Sequence, residues 1–138
     1  MMRKVGLNAD LQVADFGSTF KRIFKKEPVD SGGWSGVSYA ISGTDVWDPA
    51  VNSPLRAIGA GGTPGWPNSP RLEELREAWI GTSDVATQRQ IAAQIQLQAF
   101  QDVPYIPLGL VYWPTAYRND LTGVLNGMAL FWSVRRAT

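Results

Sequence analysis

The sequence predicts an α/β fold, on three observations. Residues 9–16 alternate apolar and polar, a short amphipathic stretch follows, and residues 37–42 form an apolar and small-residue run. Strand, helix and strand in that order make a β-α-β unit, whose right-handed crossover leaves the two strands parallel. Two longer stretches with a helical period then occupy residues 70–81 and 84–101.

Each element has its own signal. In residues 9–16, ADLQVADF, Leu11 and Val13 share a face with period two, the mark of a half-buried strand. Gly17-Ser18 offers a helix start with Ser18 as cap. Phe20, Ile23 and Phe24 then fall on one helical face, and Lys21, Arg22, Lys25 and Lys26 largely on the other. That basic cluster reads as a solvated helix face whose charge complements the C-terminal end of the dipole.

The second strand, 37–42, empties into Gly43-Thr44-Asp45-Val46-Trp47-Asp48-Pro49. Gly43 tolerates unusual backbone angles and Pro49 cannot continue a ladder. A core strand thus opens into a loop bearing two carboxylates and an indole, at the strand end where open α/β sheets bind ligands. The plainer reading of Asp-x-x-Asp-Pro is turn chemistry.

Residues 53–69 are dense in Gly and Pro and predict a surface loop. No Gly-Lys-Ser/Thr accompanies them, so a phosphate-binding loop is unsupported. Ser69-Pro70 then starts a helix, with Leu72, Leu75 and Trp79 as its buried stripe and Gly81 as its end. The next helix, from Asp84 to Gln101, is expected to bury Ile91, Ala92, Ile95 and Ala99, a stripe widened by Leu97 and Phe100, and to leave its many Gln residues outward. Beyond Asp102-Val103-Pro104, residues 105–113 are extended and apolar, and their prolines suit an edge strand or an irregular crossing. Residues 121–124 and 130–134 are short apolar pieces suited to packing on something else.

Composition sets the bounds. At 138 residues the chain is one domain or part of one. Thirteen basic and twelve acidic residues balance, so no nucleic-acid partner is indicated. The chain has no His and no Cys, which removes His-dependent and Cys-dependent catalysis and the usual zinc ligand sets. No metal site and no cofactor are expected. No apolar run approaches the ~20 residues of a membrane span. The opening MMRKVGLNAD lacks an apolar core, so no signal peptide is expected in it. Trp66, Trp79, Trp113 and Trp132 are expected to pack in the core or between lobes.

Three ordered motifs carry a family resemblance. Gln94-Ile95-Gln96, continuing through Phe100-Gln101-Asp102-Val103-Pro104-Tyr105-Ile106-Pro107-Leu108, resembles a signature of bacterial extracellular solute-binding proteins of family 5. These are the peptide, oligopeptide and nickel receptors of ABC importers. Ala116 to Gly123 and Phe131-Trp132-Ser133-Val134-Arg135 resemble the family's C-terminal end. Asp45-Val46-Trp47-Asp48-Pro49-Ala50-Val51-Asn52 resembles its ligand-side strand end, with one residue more before the Asn.

The resemblance implies a C-terminal fragment of a longer two-lobed receptor that closes on its ligand like a clamp. Its fold would be part of a type II periplasmic-binding-protein-like lobe over residues 1–113, with 114–138 returning toward the first lobe. It implies a non-enzymatic function: binding a small peptide or similar solute in an inter-lobe cleft, for uptake through a membrane permease. The protein would be periplasmic or extracellular. Asp45 matches the carboxylate that pairs with a peptide's α-ammonium group, a charge-assisted contact. Ser42 at the strand end, Trp47 and Trp34 complete the expected ligand-binding set, the indoles as apolar or cation–π walls.

Two other readings compete. Asp45 and Asp48 form a candidate carboxylate pair of a hydrolase. Alternatively, the surplus of Trp and Phe serves a self-associating interaction module through an exposed apolar C-terminal surface.

Overall fold

Helices form where caps and apolar period agree. In the computed structural model, which describes residues 2–127 and 130–137, the chain divides into two units, Met1–Pro107 and Leu108–Thr138. The first unit carries α1 (Phe16–Ile23), α2 (Pro70–Ile80) and α3 (Val85–Asp102).

Helix α2 begins as its sequence dictates. The Ser69 hydroxyl accepts from the Leu72 backbone N–H at 3.2 Å, and Pro70 occupies the first turn, where its missing N–H costs nothing. Helix α3 is capped by Asp84, whose carboxylate accepts from the Thr87 N–H at 2.8 Å and the Thr87 hydroxyl at 2.6 Å. It ends at Val103, which takes the left-handed conformation (φ 48°) and gives its N–H to the Ala99 carbonyl. Such a cap is ordinary for glycine and strained for a β-branched residue. Helices α2 and α3 pack against each other, and the core lies on their seam: Leu72 and Leu75 from α2, Ile95 from α3, and Leu55 and Ala57 from the preceding loop. Trp79, Ile91 and Ala99 close around it.

A buried ion pair ties the loop to α2. The Arg76 and Glu73 side chains are only 6% and 18% exposed and meet at 3.2 Å. Glu73 also accepts from the Ala57 N–H at 2.7 Å. Arg76 Nε donates to the Pro49 carbonyl at 2.9 Å, and another guanidinium N–H donates to the Ala50 carbonyl at 3.3 Å.

Helix α1 starts three residues earlier than expected. Asp15, not Ser18, is the cap, and accepts from the Ser18 N–H at 3.0 Å. Ile23 is buried, whereas Phe16, Phe20 and Phe24 stack along an exposed side, with successive ring centroids 5.8 and 5.2 Å apart. The chain then folds back on α1. Arg22 donates twice to the Gly33 carbonyl, at 3.2 and 2.8 Å, and the Trp34 indole N–H donates to the Ile23 carbonyl at 3.1 Å. Gly33 is required there, because a Cβ would stand 1.8 Å from the Glu27 carbonyl oxygen. The Gly- and Pro-rich loop after Ala57 is closed by Gly59 N–H to Pro67 O (2.8 Å) and Ser69 N–H to Ala57 O (2.9 Å).

The expected β-α-β unit does not form. Among the described residues, 9–15 and 37–42 pair with no other strand, and 105–113 do not either. A strand's N–H and C=O groups need a neighbouring strand, and its apolar face needs a layer to cover it. Here Leu11 and Val13 are more than four-fifths exposed. The period-two pattern is present in the sequence, but these segments have no sheet to join.

The second unit contains the paired strands. Strands β1 (Leu121–Thr122) and β2 (Arg135–Arg136) are antiparallel, Leu121 opposite Arg136 and Thr122 opposite Arg135. Ala137 N–H to Asp120 O (2.7 Å) and the Ser133 hydroxyl to Gly123 O (2.8 Å) extend the pairing. Gly123 has φ +75°, and a Cβ there would lie 2.1 Å from the Ser133 carbonyl oxygen. The structure is thus mixed, helical with one small two-stranded sheet.

Several carboxylates titrate below their ordinary range. The Thr87 hydroxyl and N–H hold Asp84 down, Ser18 does so for Asp15, and the Ser69 hydroxyl and Gln98 amide for Asp102. The Arg118 guanidinium does so for Asp120. A group whose pKa is lower folded than unfolded adds stability at pH values above its unfolded pKa. That stability is lost as pH falls through the folded pKa. Thermal stability should therefore be level above the carboxylate range and decline from about pH 4 downward. Asp84→Asn, which keeps a capping oxygen but removes the charge, should make that acid limb slightly shallower and leave the neutral-pH melting temperature nearly unchanged. An unaltered acid limb by circular dichroism would count against this assignment.

Candidate functional site

Three of the four residues singled out by sequence, Ser42, Asp45 and Trp47, lie on or at the ends of one turn. Residues 43–46 form a single 3-10 turn. The Asp45 N–H donates to the Ser42 carbonyl at 2.9 Å, and the Ser42 and Thr44 hydroxyls share a hydrogen bond of 2.8 Å. Ser42 and Asp45 are exposed, and none of the ion pairs among the described residues involves Asp45.

Asp48 plays a different part. Its Oδ1 accepts from the Ala50 N–H at 2.8 Å and the Val51 N–H at 3.2 Å, and its carbonyl accepts from the Asn52 N–H at 3.0 Å. This is the turn chemistry of Asp before Pro. With Arg76 holding the Pro49 and Ala50 carbonyls, the turn is fastened to the helical core from behind.

Between this turn, one face of α3 and the chain leaving α3 runs a groove of about 470 Å³. Trp47, Pro49, Asn52, Ile95, Phe100 and Tyr105 are among the residues that line it. Trp47 is 81% exposed. Asn52 is 7% exposed, and its Oδ1 has no hydrogen-bond partner among the described residues.

Of the four expected ligand residues, three sit together. Ser42 and Asp45 lie on the turn that leads into the groove, and Trp47 lines it. Trp34 lies elsewhere. Its N–H is committed to Ile23, and its ring packs on Trp66 at 6.0 Å between centroids, beside Lys26, which stands 5.3 Å over the Trp66 ring. Trp79 packs on the core as expected, whereas Trp113 and Trp132 are exposed.

Two residues were not anticipated. Arg76 lies four residues after Leu72 and three after Glu73, so its spacing places it on the buried face with a partner in reach. Asn52 closes the Asp-Pro motif, but its burial depends on distant residues. Among the described residues no group of three or more acidic side chains could hold a metal ion, and no helix is long and apolar enough to cross a membrane.

No protein-family model matches the chain. It is 30% identical over 137 residues to a probable peptide ABC transporter periplasmic-binding protein of Sinorhizobium fredii. The alignment covers 99% of this chain and 26% of the relative, so the chain spans about a quarter of that protein's length. The likeness therefore runs the whole length of this sequence and relates it to solute-binding proteins.

Proposed function

We propose that the chain is part of a solute-binding receptor of an ABC importer and that it contributes one wall of the ligand cleft. The likeness to a periplasmic-binding protein over almost every residue carries this reading. The turn agrees with it: an exposed carboxylate at Asp45, in no ion pair among the described residues, two residues before Trp47, with the Pro49 and Ala50 carbonyls that follow held by Arg76. In this role the chain binds without catalysis. Asp45 meets the α-ammonium of a short peptide, and Ser42 and Trp47 flank it. Trp34 contributes only through its ring face, since its N–H is already used.

In the same reading, the family is that of the family 5 solute-binding proteins. Residues 1–113 belong to a type II lobe and 114–138 to a segment returning toward the other lobe. The receptor works in the periplasm or outside the cell and delivers solute to a membrane permease. The exposed apolar residues of the second unit, including Leu110, Trp113, Phe131 and Trp132, would be covered by the remainder of such a receptor or by a second copy. The hydrolase alternative is weakened by Asp48, whose Oδ1 is committed to two backbone N–H groups.

The test is thermal-shift binding of dipeptides and oligopeptides, with Asp45→Ala as control. A charge-assisted contact is worth roughly tenfold in affinity, so the variant should lose about that much for free peptides and nothing for N-acetylated ones. Equal loss for both would place the ammonium elsewhere.

A further inference from the structure

Helix α1 leaves an apolar side open. Phe16, Phe20 and Phe24 are each at least half exposed and stack on one another along it. Leu11 and Val13, just ahead of the helix, are exposed as well. Lys21 follows Phe20 and so stands on the neighbouring flank, about 100° round the helix, and Lys25 follows Phe24 just beyond the helix end. With Arg22 and residues of the 29–32 turn, these two lysines line a hollow of about 670 Å³. Asp30 lines it too, yet Lys21, Arg22 and Lys25 are in no ion pair among the described residues. Like charges three and four residues apart repel, and anions seated among them would relieve that cost. The charge is also unevenly spread: residues 1–26 hold six basic and two acidic residues, and the rest of the chain seven and ten. Composition says what covers the Phe side. Protein interfaces are depleted in Lys, and cations buried in one would each need a carboxylate partner. Phe on one side with Lys and Arg on the flank is the make-up of a helix lying in the surface of an anionic bilayer, where rings enter the acyl boundary and cations meet phosphates.

We propose that α1 docks on an anionic lipid surface, its Phe side entering the boundary between headgroups and acyl chains while Lys21, Arg22 and Lys25 meet lipid phosphates. The docking calls on none of Ser42, Asp45 and Trp47, so it stands or falls apart from the solute-binding reading.

The test sediments the 138-residue chain with vesicles of phosphatidylcholine alone and of phosphatidylcholine mixed with phosphatidylglycerol. The mixed vesicles should bind it about tenfold more tightly or better, and added salt should weaken that binding. Lys21→Glu combined with Lys25→Glu, and separately Phe20→Ser, should each cut it by about tenfold while the helical circular dichroism stays that of the wild type. The chain has no Cys, so Phe16→Cys and, at an exposed position of α3, Leu97→Cys can each carry a single polarity-sensitive label. Only the label at residue 16 should shift to the blue on mixed vesicles, a reading that holds even where a charge-reversal or Phe20 variant fails to fold. Equal binding to both kinds of vesicle, no shift at residue 16, or an equal shift at residue 97 overturns the proposal. Release by inorganic phosphate, where chloride at matched ionic strength releases nothing, would mark a site for free phosphate and overturn it as well. So would a dimer seen by light scattering and lost in Phe20→Ser without vesicle binding, which gives the Phe side to a second copy.

Discussion

Arg76→Ala should destabilise the chain by about 3–5 kcal/mol, the cost of breaking a buried ion pair by removing one partner. Both side chains are largely shielded from water, and Glu73 would be left with the Ala57 N–H as its remaining donor. Two backbone carbonyls, of Pro49 and Ala50, would lose the guanidinium at the same time. Stabilities of domains this size are about 5–15 kcal/mol, so the loss would be a large share of the whole. Arg76→Lys should recover part of it, because an ammonium lacks the planar fork that serves Glu73 and two carbonyls together. Urea unfolding followed by helical circular dichroism measures this. A loss below about 1 kcal/mol would mean that the pair behaves as a solvated surface bridge.

The second large effect belongs to Leu72. It is the one large side chain fully buried among the described residues, set against Leu55, Ala57, Leu75 and Ile95. Leu72→Ala should cost about 2–5 kcal/mol, from lost transfer energy and the cavity left behind. The upper half of that range is expected, since two packed helices and a pinned loop have little freedom to collapse inward. Leu97→Ala, at an exposed position of α3, should change stability by less than about 0.5 kcal/mol and serves as the control. Comparable losses at both positions in denaturant melts would contradict the assigned core.

These two residues show what could and could not be read from the sequence. Leu72 was plain, because the capping Ser69, Pro70 and an i, i+3, i+7 stripe are local signals. The extent of helix α3 was equally plain, and its end at Val103 before Pro104 followed from the same rules, but Leu97 and Phe100, expected to widen its inward stripe, are exposed. Arg76 was not singled out, since its partners at Pro49 and Ala50 lie far back along the chain. The start of α1 was misplaced because Asp15 reaches the Ser18 N–H, leaving Ser18 inside the helix.

The strands show the opposite case. Residues 9–16 and 37–42 have the right pattern, yet pairing is not a property of one segment. At the site, the turn role of Asp48 was legible in Asp-Pro. Trp47 was legible as a candidate wall, whereas the lone acceptor of Asn52 emerged only from burial by other elements.

The seam between α2 and α3 has a kinetic consequence. Every residue of the packed cluster falls between Leu55 and Ala99, and the two helices are joined by a connection of a few residues. Contacts so close in sequence require little loop closure before they form, which is the condition for rapid folding. The helical hairpin can therefore assemble early and present its finished face, with the turn at Pro49 already fastened to it, as a template for whatever chain arrives later.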